Sequence, residues 1–252
     1  MKSFSSILRL ALIVFSLLFI SAASMADEIR IAVASNFIGT MKILANEFEN
    51  NTKHRVILIP GSTGKHYAQI VNAAPFDLFF AADSDKPELL DTQGLIEPNS
   101  RFTYAIGKLV LWSPLENIVD SQGEVIANHN FLYLAIANPK LAPYGRAAEE
   151  VIRAMGLWEA IQGKLVRGEN IAQTYQFVAS GNAQLGFVAH SQILKAGEVI
   201  KGSHWKVPEA LYSPIEQQAV LLKNGDTAKE FLVYVKSDEA LEIIQSFGYG
   251  VP

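Results

Sequence analysis

The sequence predicts an α/β protein of two lobes, each built on a mostly parallel sheet with helices on its faces. Three observations support this fold class. Strand-like apolar segments alternate with amphipathic helical segments, the alternation breaks at Pro114 and resumes near Leu132, and 252 residues are many for a single open sheet. We therefore expect the chain to cross between the lobes near 107–112 and to return near 213–222.

The first half of the chain alternates strand and helix three times. Ile29, Ile31 and Val33 recur with a period of two, which is typical of a strand over 28–34. Apolar residues at helical spacing from Phe37 to Phe48 then predict an amphipathic helix. The same patterns predict two further strands and two further helices, at 55–60, 65–73, 77–81 and 85–93. This order is typical of parallel strands joined by helices.

The second half repeats the alternation less regularly. A strand at 107–112 is followed by Pro114, which interrupts the pattern, and a second α/β set begins at Leu132. The predicted strands of this half lie at 132–137, 185–188 and 213–222, and its helices at 145–155, 171–179, 226–236 and 238–247. Because ligands of open α/β sheets bind at the carboxyl ends of the strands, we expect the ligand in a cleft between the lobes.

The first 26 residues have the features of a cleavable secretory signal. Lys2 and Arg9 precede an apolar run, and Ala26 ends a set of small residues suited to cleavage. A membrane helix is the alternative, but the run is short for a bilayer span. We predict a signal peptide at 1–26, one lobe formed by 27–107 and 213–252, and a second lobe formed by 108–212.

Composition excludes several functional classes. Loss of the signal takes the formal net charge from −4 to −6, because it removes two basic residues and no acidic one. A mildly acidic protein is a poor partner for nucleic acid or an anionic membrane. The chain has no cysteine, which excludes disulfides, thiolate ligands, a cysteine nucleophile and a lipid-modified cysteine anchor. We therefore expect a free protein of the periplasm, monomeric and without a cofactor.

Catalytic and metal-binding motifs are absent from the sequence. The five histidines lack the spacing of a zinc helix, and no Gly-x-Ser-x-Gly elbow occurs. The paired carboxylates Asp83 and Asp85 lie just before a predicted helix, where capping is their expected role. An exported α/β enzyme thus remains an alternative on fold grounds alone.

Two hydroxyl-rich stretches are the most informative feature of the chain. Ser35-Asn36 and Ser62-Thr63 each follow a strand and precede a helix. Capping of the helix is the ordinary role of such residues. Two helix N-termini side by side also present free N–H groups and partial positive charge, which suits a small anion. Gly61 and Gly64 favour the anion site, because glycine lets a ligand approach the backbone.

Two turns of the second half are candidates for the opposite wall of the cleft. Pro143 and Gly145 suit a tight strand-to-helix turn that holds Tyr144, whose hydroxyl is able to donate a hydrogen bond. From its residue type alone, Tyr144 is better interpreted as a half-buried aromatic. Arg146 is expected at the surface, with pairing to an anion as its alternative. Asn170 is a good N-cap, and the N–H groups that follow it are free to face the cleft.

At these residues the sequence resembles the periplasmic molybdate-binding proteins of ABC importers, over nearly the whole chain after the signal. The similar segments are Ala32–Phe37, Gly61–Gly64 with Gln69-Ile70, 74–83, Asn170–Thr174 and Gly181–Val188. The resemblance implies a two-lobed periplasmic-binding-protein fold, a molybdate or tungstate ligand, and the membrane permease of an ABC transporter as partner. It implies molybdenum only as the bound oxyanion, with no direct bond from protein to metal.

The resemblance also implies a set of binding residues. They are Ser35 and Asn36 in the first loop, Ser62 in the second loop, Tyr144 at the turn, and Ile171 through its backbone N–H. Some family members instead carry a tyrosine after the Gly-x-Val strand, where this sequence has Ala189. We therefore expect Tyr144 to supply the phenolic hydroxyl.

None of the five predicted binding residues is charged, and this limits the ligand. Phosphate carries a proton at neutral pH, and the resulting O–H group needs a hydrogen-bond acceptor. A buried donor without an acceptor costs about 1–3 kcal/mol. Molybdate, tungstate and sulfate are fully ionised and avoid that cost. A binding protein for another tetrahedral oxyanion such as sulfate stays an alternative, because sulfate differs from molybdate only in size.

Overall fold

The computed structural model describes residues 27–194 and 201–252, so the predicted signal peptide lies outside the described residues. The described residues form ten strands, namely β1 (Glu28–Ala34), β2 (Arg55–Gly61), β3 (Leu78–Phe80), β4 (Phe102–Gly107), β5 (Leu109–Ser113), β6 (Leu134–Ala137), β7 (Leu165–Gly168), β8 (Leu185–Ala189), β9 (Ser203–Lys206) and β10 (Ile215–Leu221). The helices of the same residues are α1 (Ile38–Thr52), α2 (Thr63–Val71), α3 (Asp85–Thr92), α4 (Glu124–Ala127), α5 (Pro143–Ala154), α6 (Trp158–Ile161), α7 (Ile171–Ala179), α8 (His190–Ile193), α9 (Asp226–Val235) and α10 (Asp238–Ser246). Within the described ranges no helix has the length and apolar character needed to cross a bilayer.

The strands form two five-stranded sheets with matching topology. Their orders are β2-β1-β3-β10-β4 and β7-β6-β8-β5-β9. The first three strands of each order pair in parallel, and the fourth strand, β10 or β5, is antiparallel to both neighbours. Four of the five strands in each sheet therefore share one direction, which confirms a mostly parallel α/β fold.

The sheets define two lobes. We use lobe 1 for β1–β4 and β10 with α1–α3, α9 and α10, and lobe 2 for β5–β9 with α4–α8. The chain passes from lobe 1 to lobe 2 at Lys108, between β4 and β5, and returns between β9 and β10. The sequence pattern predicted a single strand at 107–112. In the structure this segment holds the end of β4 in one sheet and most of β5 in the other sheet.

Apolar helix faces cover both sides of each sheet. In lobe 1, the N-cap Phe37 and the α1 stripe of Met41, Leu44 and Phe48 pack against Phe80 of β3, and Ile70, Phe79 and Leu90 fill the opposite side. Each such buried side chain contributes about 1.5–3 kcal/mol through the hydrophobic effect. The two lobes are thus packed units, and the loops at their strand ends lie on rigid supports.

Three strands that the sequence pattern did not predict lie at sheet edges. They are β4, β7 and β9, which each end one of the strand orders. An edge strand buries less of its surface, so its sequence carries a weaker apolar alternation: in β7 only Gly168 is buried, and in β9 only Trp205. These segments are strands because they pair with a neighbouring strand. A local sequence pattern carries no information about that pairing.

Candidate functional site

The two hydroxyl-rich loops lie side by side because their strands are in register. In the parallel pair β1–β2, Ala34 is the partner of Gly61, so Ser35 and Ser62 stand one residue beyond the ends of neighbouring strands. The backbone N–H of Ser35 donates to the carbonyl of Gly61 at 2.9 Å and fixes the two loops together. Their side chains therefore reach the same point at the edge of the sheet.

A small cavity of about 10 Å³ lies where these loops meet lobe 2. All five predicted binding residues line it, together with other uncharged residues: Ser35, Asn36, Ser62, Tyr144 and Ile171, with Ala34, Gly61, Thr63, Ala82, Ala142, Pro143 and Asn170. Each of the five is at most 4% exposed. This volume is about that of one water molecule, so the cavity excludes an extended organic ligand, and a tetrahedral oxyanion requires its walls to move outward.

The hydroxyl of Ser62 is buried and has no hydrogen-bond partner among the described residues. Ser62 occupies the N-cap position of α2, but its side chain makes no capping hydrogen bond. The capping role that its residue type suggested is therefore wrong for this side chain. A buried hydroxyl without a partner costs about 1–3 kcal/mol, and a bound acceptor removes that cost.

Ser35 and Asn36 do not cap a helix either. The N–H of Phe37 bonds the carbonyl of Ala34 in a turn, and α1 begins only at Ile38 with Phe37 as its N-cap. The Ser35 hydroxyl instead accepts a hydrogen bond at 3.4 Å from the N–H of Ala172 in α7. It thus joins lobe 1 to lobe 2 and keeps its own proton available to donate.

The side-chain amide of Asn36 takes part in a buried network through its Nδ2. Its amide Nδ2 donates to Oε1 of Gln217 at 2.8 Å and to the hydroxyl of Tyr249 at 3.1 Å. Its carbonyl accepts from the same Tyr249 hydroxyl at 2.9 Å. The side chain of Asn36 therefore ties the first loop to Gln217 of β10 and to Tyr249.

Several backbone N–H groups at the cavity make no turn, loop or cap hydrogen bond among the described residues. They include those of Asn36, Ser62, Thr63, Asn170, Tyr144 and Ile171. The last two lie in the first turns of α5 and α7, where N–H groups are free and the helix dipole is positive. Asn170 caps α7 by accepting from the N–H of Gln173 at 3.0 Å, as predicted, and leaves the N–H of Ile171 free. The cavity wall is thus rich in unpaired donors.

Tyr144 is fully buried at the lobe boundary. Its hydroxyl lies 3.4 Å from Nε2 of Gln217 in β10. Burial raises the pKa of the Tyr144 phenol well above its ordinary value, so the group is neutral and carries its proton. Sequence reasoning missed Gln217, although one signal was present: it shares the inward face of β10 with Ile215 and Ala219.

A larger cleft of about 260 Å³ adjoins the cavity and is charged. Arg146 of α5 bonds Asp85 at 2.8 Å and lies 3.7 Å from Asp83, so it pairs with lobe 1 and is not a simple surface residue. Glu150 also lines this cleft. Asp83 accepts from the N–H of Lys86 at 3.1 Å, which agrees with its expected capping role.

The charged cleft has the wrong electrostatics for an anion. Burial raises the pKa of Asp83 to about 6, against the partial compensation of the Lys86 N–H and Arg146. Three carboxyl groups surround one guanidinium there, so a dianion meets net repulsion. Among the described residues no group of three or more His, Asp or Glu side chains is arranged to hold a metal ion. The uncharged cavity is therefore the better site for a small anion.

Direct bonds hold the lobes together around the cavity. The N–H of Gly64 donates to the carbonyl of Leu141 at 2.9 Å, and Lys65 forms an ion pair with Glu169 at 2.9 Å. With the Ser35–Ala172 and Arg146–Asp85 contacts, these bonds describe a closed cleft. A ligand in the cavity would touch both lobes and stabilise this closed form.

Comparison with known proteins agrees with this architecture. A molybdate-binding protein of Azotobacter vinelandii is 50% identical over 235 residues, which cover 92% of this chain and 93% of that protein. A molybdate-binding protein of Rhodobacter capsulatus is 46% identical over 228 residues, covering 89% of this chain and 88% of the relative. A solved structure of a periplasmic molybdate-binding protein of A. vinelandii superposes with a TM-score of 0.87 at 45% identity, covering 89% of this chain and 99% of the other.

The family assignment follows from a match of similar extent. Residues 29–250 match the model of a family described as bacterial extracellular solute-binding proteins. The match includes both sheets, both hydroxyl-rich loops and the turns at Tyr144 and Ile171. The chain belongs to the bacterial extracellular solute-binding protein family.

Proposed function

We propose that this protein captures molybdate in the periplasm and delivers it to the membrane permease of an ABC importer. Two relatives at 50% and 46% identity over most of the chain are named molybdate-binding proteins, which supports the choice of ligand. The proposal includes export by the signal at 1–26 without a lipid anchor, and action as a monomer. It also includes lobe boundaries at 27–107 with 213–252 and at 108–212.

One observation carries the proposal: the buried cavity is lined by unpaired donors and by no charged side chain. The Ser62 hydroxyl and the free backbone N–H groups converge on it from both lobes. Hydrogen bonds from neutral donors to a buried anion contribute about 1.5–3 kcal/mol each. Several of them offset the loss of hydration of a small dianion.

The same donors select against phosphate. At neutral pH phosphate keeps at least one proton, and that proton needs an acceptor in the cavity. If a serine hydroxyl accepts the hydrogen bond from phosphate, the serine's own proton has no acceptor. One donor therefore stays unpaired, on the phosphate or on the serine. The cost is about 1–3 kcal/mol. Molybdate and tungstate carry no proton and share charge and shape, so we include tungstate as a second ligand.

Closure of the lobes links capture to delivery. The anion would receive hydrogen bonds from Ser62 of lobe 1 and from the Ile171 N–H of lobe 2, so its binding favours the closed form over the open one. A permease that recognises the closed form then distinguishes loaded from empty protein. We propose no chemical change in the ligand, because the cavity lining contains no carboxylate, histidine or lysine to act as an acid or base.

Calorimetric titration of the protein lacking residues 1–26 tests the proposal. Molybdate, tungstate, sulfate and phosphate are compared under one buffer condition. We expect tight binding of molybdate and tungstate, weaker binding of sulfate and the weakest binding of phosphate. Sulfate bound as tightly as molybdate would support a sulfate carrier instead, and hydrolysis of a phosphate or sulfate ester would support the enzyme alternative.

A further inference from the structure

We infer that Gln217 is a positioning residue that turns the hydroxyl proton of Tyr144 into the cavity, and that this orientation makes the site reject protonated anions. The inference rests on the proposed function, since it explains how the same cavity separates molybdate from phosphate. Gln217 itself does not line the cavity. It acts through Tyr144, across the boundary between the lobes.

Gln217 is held in one place by its strand. It lies on β10, is 0% exposed, and faces inward between Ile215 and Ala219. The register between β4 and β10 shifts at this point: Gln217 pairs with Ala105 and Gln218 with Thr103, so Tyr104 is an extra residue. Such bulges change the direction of nearby side chains. The hydroxyl of Tyr104 lies 3.1 Å from Gln217 Oε1.

The orientation of the Gln217 amide follows from a chain of hydrogen bonds that starts at the backbone. The Tyr249 hydroxyl donates its proton to the carbonyl of Asn36 at 2.9 Å, and its oxygen accepts from Asn36 Nδ2 at 3.1 Å and from Ser191 Oγ at 2.8 Å. The same Nδ2 donates to Gln217, which presents its oxygen 2.8 Å away. Gln217 Nε2 therefore faces Tyr144.

This orientation decides the direction of the Tyr144 hydroxyl. Gln217 Nε2 is a donor only, and it lies 3.4 Å from the Tyr144 oxygen. The Tyr144 oxygen thus accepts, and its own proton needs a different acceptor. Tyr144 is among the residues that line the cavity, and among the described residues nothing accepts its hydroxyl proton, so we assign that proton to an anion oxygen in the cavity. An anion that presents a hydroxyl to Tyr144 instead brings two donors face to face, which is unfavourable.

Gly107 permits the close approach of these two side chains. It ends β4 at the lobe crossing, and a Cβ at this position would contact the Tyr144 hydroxyl and lie 2.8 Å from Gln217 Nε2. A substituted residue would therefore separate Tyr144 from Gln217. Gly107→Ala is a second way to break the contact that leaves both side chains in the protein.

The test compares the ratio of the phosphate Kd to the molybdate Kd at about pH 8, where both anions are mainly dianions. The variants are Gln217→Met, Tyr144→Phe and the double substitution. We expect Gln217→Met to lower the ratio about tenfold, which corresponds to one hydrogen bond to a charged group. In the Tyr144→Phe background the same substitution should leave the ratio unchanged. Gln218→Met, on the next residue of β10, is the matched control and should also leave it unchanged.

The outcomes separate the inference from the proposed function. An equal change of both Kd values in Gln217→Met, or the same fall of the ratio with and without the Tyr144 hydroxyl, overturns the inference alone. If Gln217→Met does not fold, Gly107→Ala replaces it, and an unchanged ratio there overturns the inference as well. A wild-type protein that binds no molybdate contradicts the proposed function and the inference together.

Discussion

The small cavity and the charged cleft lie between the same two lobes and bury polar groups in opposite ways. The cleft pairs Arg146 with Asp85 and Asp83 across the boundary, so its charges satisfy each other. The cavity presents neutral hydroxyl and N–H donors, and the Ser62 hydroxyl has no partner there among the described residues. The cleft can close the lobes without a ligand, whereas the cavity is complete only with an acceptor in it.

Under the proposed function, the difference describes a way to bind a dianion without a cation. A lysine in the cavity would attract every anion, protonated or not, and would leave a buried charge in the empty protein. Neutral donors at helix N-termini avoid both effects, because their partial charges are fixed and small. The following predictions break or sharpen this contrast, from the largest expected effect to the smallest.

The largest change in molybdate affinity should come from a carboxylate placed in the cavity, and the matched control is a carboxylate placed in the cleft. Ser62→Asp places a carboxylate in the cavity, and its repulsion of a dianion should raise the molybdate Kd about 1,000-fold or more. Ser84→Asp adds the same charge to the cleft, where Arg146 and solvent screen it, and should change the Kd less than about threefold. Calorimetry of both variants measures the contrast. Similar losses in the two variants would show that the regions do not differ in function.

The backbone donor of Ile171 can be removed without disturbing the start of α7. Proline suits the first helical position, and the extended Asn170 before it (φ −144°, ψ 174°) accepts a following proline. Ile171→Pro should raise the molybdate Kd about 10- to 100-fold through loss of one hydrogen bond to a charged group. Ile171→Val keeps the N–H and serves as the control. Equal affinities for the two variants would remove this N–H from the site.

Loss of the Ser62 hydroxyl should affect binding and stability in opposite directions. Ser62→Ala should raise the molybdate Kd by about tenfold, because one donor to the anion is lost. Without ligand, the free energy of unfolding should stay unchanged or rise, because a buried group without a partner is removed. Thermal unfolding with and without molybdate measures both effects. An unfolding free energy that falls in the empty variant would mean that this hydroxyl has a structural partner.

The smallest effect on binding should come from the cleft. Burial raises the pKa of Asp83 from 3.8 to about 6, so the folded state binds a proton that the unfolded state has released. Asp83 therefore lowers the free energy of unfolding as pH rises from about 4 to 6, by up to about 3 kcal/mol.

Asp83→Asn should remove most of this pH dependence and change the molybdate Kd less than about threefold. Denaturant unfolding at several pH values between 4 and 8 measures the first effect, and calorimetry the second. The same pH dependence of stability in the wild-type and Asp83→Asn proteins would contradict the raised pKa. A loss of molybdate binding in the variant would place Asp83 in the site.

The sequence predicted the parts of the fold and site that depend on local pattern. The alternation over 28–94 was sufficient for the parallel strands of lobe 1, and hydroxyl residues at two strand ends were sufficient to bring Ser35 and Ser62 together. The edge strands β4, β7 and β9 were missed because their pairing, more than their own burial, defines them.

Two features of the site required the structure. The role of the Ser62 hydroxyl depends on where α2 begins and on whether the side chain turns toward the N–H groups of that helix. The residue type determines neither of these. Gln217 lies 73 residues from Tyr144 in sequence, and its contact depends on the return of β10 beside β4. A polar residue on an otherwise apolar strand face was the available signal for it.

A crystal structure of the molybdate complex tests the central claim most directly, because the metal identifies itself by its X-ray absorption edge. We predict one molybdate in the small cavity, with oxygens at about 2.7–3.2 Å from Ser62 Oγ and from the backbone nitrogen of Ile171. No carboxylate or cationic side chain should contact it. A molybdate bound in the charged cleft beside Arg146, with the small cavity empty, would contradict the account.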